Sequence, residues 1–288
     1  MKKKIITTLL ILSLIILGVP YGHSKDYYGD NGLRIRYKFY FKEDSTIRGH
    51  YMDSTMCLDI FGDKTAFYSE KAYRLDSTVS IAPVPISVAV NPPAEFKGTT
   101  ERSKYFIDFK KGTYIKYDAS LVTHLKGYGT LETPQWRLLD ITDTICGYPC
   151  RIAEASYLGR TWRIWYTTDI PVSAGPWLLW GAPGLILRAR ESRNLFVFMA
   201  FEAGQLSYDR SRSIQRLADA EYHLRTYRSM KKMEEILTRV KRSYEEDMIF
   251  NGYGSGPGYV TGPDGSIIKE TPLHFKYIPL ISEEYWDK

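Results

Sequence analysis

"LRIRYKFYF", residues 33–41, alternates large apolar or aromatic residues with arginine and lysine. A side-chain period of two puts Leu33, Ile35, Tyr37, Phe39 and Phe41 on one face and Arg34, Arg36 and Lys38 on the other, as in a strand with one buried and one solvated side. The same alternation recurs in "TAFYSEKAYRL" (65–75), "KYFIDF" (104–109), "TYIKYD" (113–118), "TWRIWYT" (161–167) and "LFVFMAF" (195–201), each bounded by Gly, Pro, Asp or Asn. Successive short strands predict an antiparallel meander. "STVSIAPVPISVAVNPPAEF" (77–96) carries four prolines, which assigns it to a loop or an edge.

The period changes after Ile214. Apolar residues then fall at Leu217, Ala220, Leu224, Tyr227, Met230, Met233, Leu237, Val240, Tyr244 and Met248, which predicts one or two helices over 214–248. Mixed charge covers the outward side: Arg225, Lys231 and Arg239 alternate with Glu221, Glu234 and Glu245, as on a solvated helix packed on a sheet. The expected fold is therefore mainly β: an antiparallel curved sheet or half-barrel with a C-terminal helical segment packed on it, as one domain over 25–250. Beyond it, "NGYGSGPGYVTGPDGSIIKE" (251–270) lacks the spacing and the lysine of a phosphate loop. A Gly-rich linker and a hairpin turn at Gly262, Pro263, Asp264 and Gly265 are expected within 251–288.

Lys2, Lys3 and Lys4 precede an apolar run from Ile5 to Val19, too short for a membrane span, and Gly22 and Ser24 stand where a signal peptidase reads before Lys25. Residues 1–24 are expected to be a signal peptide. With no cysteine after the run, lipoprotein processing is not expected, and the exported chain is placed in the periplasm or against the outer membrane, with no transmembrane span after cleavage. The formal net charge is +6, and the leader lysines account for half of it. So weak a field implies no nucleic acid partner. At 44% hydrophobic and 14% aromatic residues the chain is globular.

Trp136, Trp162, Trp165, Trp177 and Trp180 crowd into one stretch. Within it stand Gly147-Tyr148 then Cys150, Gly159-Arg160, Trp165-Tyr166-Thr167, Ile170-Pro171, Gly175-Pro176 and Gly181 to Ile186. In these motifs residues 130–205 resemble the GLPGLI family of exported Bacteroidetes proteins, with Ala182 where the family signature has leucine. The resemblance implies no activity.

Locally, Pro183 fixes φ and Gly184 permits a positive φ, which predicts a type II turn at 182–185 feeding a strand from Leu185. Asp169, before Ile170-Pro171, is expected to bond its own backbone and end the preceding strand. Gly181, Pro183, Gly184, Asp169 and Pro171 are thus shape-setting. Trp177 and Trp180, held between Pro176 and Pro183, are with Trp165 the candidate ligand- or partner-binding residues. If Gly147-Tyr148-Pro149 forms a hairpin loop, Cys146 and Cys150 face each other as a disulfide and Cys57 remains a buried thiol.

His50, His124, His223 and His274 are scattered, and no Gly-x-Ser-x-Gly elbow is present. Asp140, Asp143 and Asp169 are the carboxylates available for acid and base work. Met52, Met56 and Cys57 are soft donors better assigned to the core, so no metal and no cofactor are expected. The expected function is an exported, non-catalytic binding or carrier protein of the envelope for a hydrophobic or lipid-like ligand. The alternative is an envelope interaction protein docking an outer-membrane partner through its tryptophans, with a carboxylate-dependent hydrolase a distant third.

Overall fold

The alternating stretch forms β1 (Gly32–Phe41) in the computed structural model, which describes residues 32–42, 51–81, 101–120, 123–206, 209, 211–220, 224–242, 259–261, 267–269 and 278–287. Leu33, Ile35, Tyr37, Phe39 and Phe41 are buried while Arg34, Arg36, Lys38 and Tyr40 face the other way. On one side β1 pairs with β2 (Met52–Phe61), which leads into β3 (Lys64–Ser69), β4 (Lys104–Asp108), β5 (Thr113–Ala119) and β6 (His124–Thr130) as an antiparallel meander. A second meander runs through β7 (Arg137–Ile145), β8 (Tyr148–Tyr157), β9 (Arg160–Thr167), β10 (Leu185–Glu191) and β11 (Phe196–Leu206). β11 closes on the free side of β1, and the short β12 (Leu224–Tyr227) adds in parallel to β6. One curved, open sheet of twelve strands results, with β7 and β12 at its edges. β13 (Tyr259–Thr261) and β14 (Ile267–Lys269) pair separately.

The face carrying Tyr37 and Phe39 is the inner one. Phe39 stacks on Phe198 at 4.3 Å between ring centroids, Phe198 on Trp162 at 6.2 Å, and Trp162 meets Trp177 at 5.6 Å. The connection 168–184 lies on this face with Ile170, Val172, Ala174, Trp177, Leu178, Leu179 and Ala182 all buried. It is tied down where Ile186 N–H donates to the Ala174 carbonyl at 2.9 Å and Tyr37 Oη donates to the Ile186 carbonyl at 2.7 Å. Residues 278–287 close the opposite part, Arg160 Nε donating to the Leu280 carbonyl at 2.8 Å. These two segments thus pack onto the inner face.

Among the described residues three α-helices cover the rest: α1 (Glu70–Ile81) and α2 (Ser211–Asp219) on the outer face of β2–β5, and α3 (Met230–Arg242) on the inner face over β6. Each is held by a lysine of the sheet. Lys104 pairs with Asp76 of α1 at 2.8 Å, Lys126 with Asp219 of α2 at 2.6 Å, and Lys116 with Glu234 of α3 at 2.7 Å. Gly127 lets α3 approach, since a Cβ there would lie 2.4 Å from Met233 Sδ. Lys116 also reaches Asp118 at 3.1 Å, and Lys241 of α3 reaches Asp118 at 2.8 Å.

Burial alone would raise the Asp118 carboxyl, but the ammonium groups of Lys241 and Lys116 outweigh it and hold the group down to about 2. A folded value below the unfolded value of about 3.9 means that this stabilisation is complete above that pH and is lost as pH falls toward 2. Asp118→Asn is expected to flatten the fall in stability across that acid window while lowering stability at neutral pH. Urea denaturation at stepped pH measures both, and an unchanged acid slope would remove Asp118 from the account.

Four expectations are corrected. "TAFYSEKAYRL" is not one strand: Ser69 ends β3, and its Oγ accepts from Ala72 N–H at 3.3 Å as an N-cap, so the chain turns into α1, which runs on to Ile81. The helical stretch 214–248 is split. Leu224 and Tyr227 belong to β12, and Ser229 Oγ, accepting from Lys232 N–H at 3.3 Å, starts α3 afresh. Gly184 has no positive φ, so 182–185 is not a type II turn; the left-handed positions are Gly181 (φ 81°) and Trp177 (φ 57°). Glycine is needed at 184 for close approach, because a Cβ there would sit 2.0 Å from the Thr167 carbonyl oxygen.

The fourth concerns sulfur. Cys146, Cys57 and Cys150 are all free thiols. The hairpin loop is the two-residue Cys146-Gly147, with φ of 52° and 81°, so Ile145 faces Tyr148 and Cys150 faces Asp143. Cys146 Sγ instead donates to the Ala200 carbonyl at 3.0 Å. The expected signal peptide at 1–24, the glycine-rich 251–258 and the expected turn at 262–265 lie outside the described residues, as do His50, His223 and His274. Among the described residues no helix is long and apolar enough to cross a membrane.

Candidate functional site

With α1 and α2 over β2–β5, the outer face of β8–β11 carries no helix among the described residues, and α1 meets the outer face of β1 at its first residue, where Glu70 pairs with Arg36 at 3.3 Å. Strand register builds two parallel rows of side chains across it. In the first, Ile152 of β8 stands opposite Trp165 of β9, Trp165 opposite Arg188 of β10, Arg188 opposite Met199 of β11, and Met199 opposite Lys38 of β1. In the second, Glu154, Arg163, Arg190, Val197 and Tyr40 follow in the same strand order. Side chains directly opposite on adjacent strands are close enough to touch, which makes each row one continuous surface.

The centre of that surface is Trp165. The guanidinium carbon of Arg188 lies 4.5 Å from its ring centroid and that of Arg190 6.0 Å, so two cations sit against one aromatic ring. This cover leaves Trp165 only 6% exposed. Trp165 Nε1 and Arg188 Nε are both buried without a hydrogen-bond partner. Beside them the sheet presents large apolar side chains to solvent: Met199 (37% exposed), Phe201 (46%) and Tyr40 (38%). Phe201 is the extra residue where the β1–β11 ladder slips between Arg36 and Tyr37, and that slip helps to display it.

Around the centre, charges are matched. Arg163 Nε donates to Glu154 Oε1 at 2.7 Å, Arg137 Nη2 donates to Glu154 Oε2 at 2.6 Å, Lys38 pairs with Asp53 at 3.3 Å, and Arg36 pairs with Glu202 at 2.8 Å.

The other candidates fall elsewhere. Trp177 is wholly buried in the inner face, and Trp180 is half-buried at its rim, donating from Nε1 to the Glu132 carbonyl at 2.9 Å while its own carbonyl accepts from Trp136 Nε1 at 2.7 Å. The three tryptophans therefore do not share a surface. Asp169 does not cap its own turn: its N–H donates to Thr167 Oγ1 at 3.2 Å. Pro171 lies in a tight pair of turns in which Val172 N–H donates to the Ile170 carbonyl and Ala174 N–H to that of Val172, both at 2.8 Å. Asp140, Asp143 and Asp169 are exposed. Burial, with the charges of Asp143 and Asp169 adding to it, pushes the Cys150 thiol up to about 11. Met56 faces the inner core and Cys57 the outer cluster, so the two sulfurs diverge. No group of side chains suited to a metal occurs among the described residues.

Reasoning from sequence alone missed Arg188 and Arg190. Their signal was "LILRARE" (185–191), two arginines two apart in a strand, but only the register against β9 sets them over Trp165.

Residues 90–228 match the family model described as "N-glycanase peptide, N-terminal domain". No curated protein matches the chain. Two crystal structures of PNGF-II, in different space groups, are similar at 17% and 18% identity, each with a TM-score of 0.48 over 74% of this chain. The matched part spans 34% of the length of those structures. The family match overturns the resemblance to the GLPGLI family, whose motifs in 147–186 sit inside the matched span. With it fall the lipid-like carrier and the outer-membrane docking protein as functions, and neither they nor the carboxylate hydrolase finds support. On the inner face Trp177, Leu178 and Leu179 pack where such a ligand was expected.

Proposed function

We propose that this chain works in the release of N-linked glycans from glycoproteins, and that the outer face of β8–β11 and β1 engages the glycosylated substrate. The observation that carries this is the match of residues 90–228 to the N-terminal domain of an N-glycanase. Trp165, Arg188, Arg190, Met199 and Phe201 all fall within that span. Their chemistry suits a sugar. A pyranose presents apolar C–H faces, which Met199, Phe201 and Tyr40 can cover, and hydroxyl edges, which guanidinium N–H groups can bind. The apparent leader at 1–24 would carry such a protein out of the cytoplasm, to where secreted glycoproteins are met.

Calorimetric titration tests the proposal with an N-glycosylated peptide and the same peptide without its glycan. Binding of the glycosylated form is expected to be about tenfold tighter or more, equivalent to roughly 1.4 kcal/mol. Met199→Asp with Phe201→Asp is expected to abolish that difference. Equal affinity for the two peptides would overturn the proposal.

A further inference from the structure

We infer that Arg188 and Arg190, stacked on Trp165, form a subsite for the carboxylate of an acidic sugar; as a glycan subsite this rests on the function proposed above. The first observation is an imbalance of charge. Arg137 and Arg163 share Glu154, Lys38 has Asp53, and Arg36 has Glu202 and Glu70. Among the described residues Arg188 and Arg190 alone in these rows have cationic side chains with no acidic partner, and their neighbours across the strands are Trp165, Met199, Arg163 and Val197. Two like charges on alternate residues of one strand, about 6–7 Å apart along the backbone, repel each other until an anion is placed between them.

The second observation is the unmet hydrogen-bonding capacity beneath them. Trp165 is more than nine-tenths buried with Nε1 unpartnered, and Arg188 Nε is buried and unpartnered beside it. Buried donors of this kind are costly to leave unmade. An anion arriving at Arg188 supplies an acceptor at the place where donors are in excess.

The ligand class follows from the surroundings. A guanidinium matches a carboxylate through two parallel N–H···O bonds, which a compact ammonium does not offer. On the far side of Arg188 and Arg190 stand Met199 and Val197, with Tyr40 next along the second row and Phe201 two residues beyond Met199 on β11, apolar side chains for the body of the molecule that carries the charge. A carboxylate joined to a pyranose ring with an apolar face, as in a sialic or uronic acid residue, presents both features.

The test uses the full chain and four probes in calorimetric titration: a sialylated N-glycopeptide, the same glycopeptide after sialidase treatment, methyl α-sialoside, and the methyl ester of that sialoside. The sialylated glycopeptide is expected to bind about tenfold tighter than the trimmed one. This preference is expected to shrink as salt is raised and to vanish in Arg188→Gln/Arg190→Gln, which binds the sialylated and trimmed glycopeptides equally. Arg188→Lys keeps the charge but loses the fork, and is expected to lose most of the preference; circular dichroism confirms that each variant is folded. Equal affinity for the sialylated and trimmed forms, or a preference that survives the double substitution, overturns the subsite and leaves the proposed function standing. Binding of methyl α-sialoside but not its ester, with no binding of the trimmed glycopeptide, leaves a carboxylate site and overturns the wider reading. Failure of both the sialylated glycopeptide and the sialoside to bind overturns the subsite outright.

Discussion

Lys116→Met is expected to lower the stability of the fold by about 3–5 kcal/mol, because it strands a buried carboxylate. Lys116 Nζ lies 2.7 Å from Glu234 Oε1, and both side chains are only 5% exposed. Asp118 keeps Lys241 at 2.8 Å when Lys116 is removed, whereas no second cation is paired with Glu234 among the described residues. The cost therefore falls on Glu234 and on the contact between α3 and β5. Adding Glu234→Gln to Lys116→Met takes the unmatched charge away and is expected to recover a large part of the loss. Urea denaturation of the single and double variants decides the matter. A loss below about 1 kcal/mol in the single variant would mean that water screens the pair as it does at a surface, and that apolar contacts such as Met233 on Gly127 hold α3 instead.

Which features could be read from the chain depends on whether their cause was local. The strand periodicity of 33–41 needs only its own residues and the water on one side, and it was legible, as was a curved β architecture with a helix laid on it. The switch from β3 to α1 was local too, but its sign is one hydroxyl at Ser69 inside a run that still alternates. β12 had no local sign. Leu224 and Tyr227 satisfy the helical spacing as well as they satisfy pairing with β6, and only the free edge of β6 makes a strand there the better choice. The turn at 182–185 was misread for a similar reason: a glycine serves both a positive φ and a close approach, and the carbonyl of Thr167 is distant in sequence. At the candidate site, Trp165 stood out by residue type. Arg188 and Arg190 did not, since arginines on alternate positions look like any solvated strand face until the register sets them over a ring and leaves them without an acid.

Trp177 shows most sharply what residue type alone cannot decide, and Trp177→Ala is expected to cost about 3–5 kcal/mol. It lies in the loop expected to display it, between Pro176 and Pro183, yet it is 0% exposed and packs 5.6 Å from Trp162 and 6.5 Å from Tyr157 between ring centroids. Its backbone is left-handed at φ 57°, a conformation that costs a non-glycine residue on the order of 1 kcal/mol or more and that burial of the indole must offset. Two comparisons follow from these facts. Trp180→Ala, at the half-buried rim, loses one backbone hydrogen bond and a partial contact with Phe109, so it is expected to cost about 1–2 kcal/mol. Trp177→Gly removes the same ring as Trp177→Ala but relieves the backbone, and is expected to be the more stable of the two by up to about 1 kcal/mol, the reverse of the usual order for glycine and alanine. Chemical denaturation of the three variants reads both. If Trp177→Ala costs no more than Trp180→Ala, or if alanine is tolerated better than glycine at 177, then the ring does not anchor the 168–184 connection to the inner face and the left-handed backbone is not what the indole stabilises.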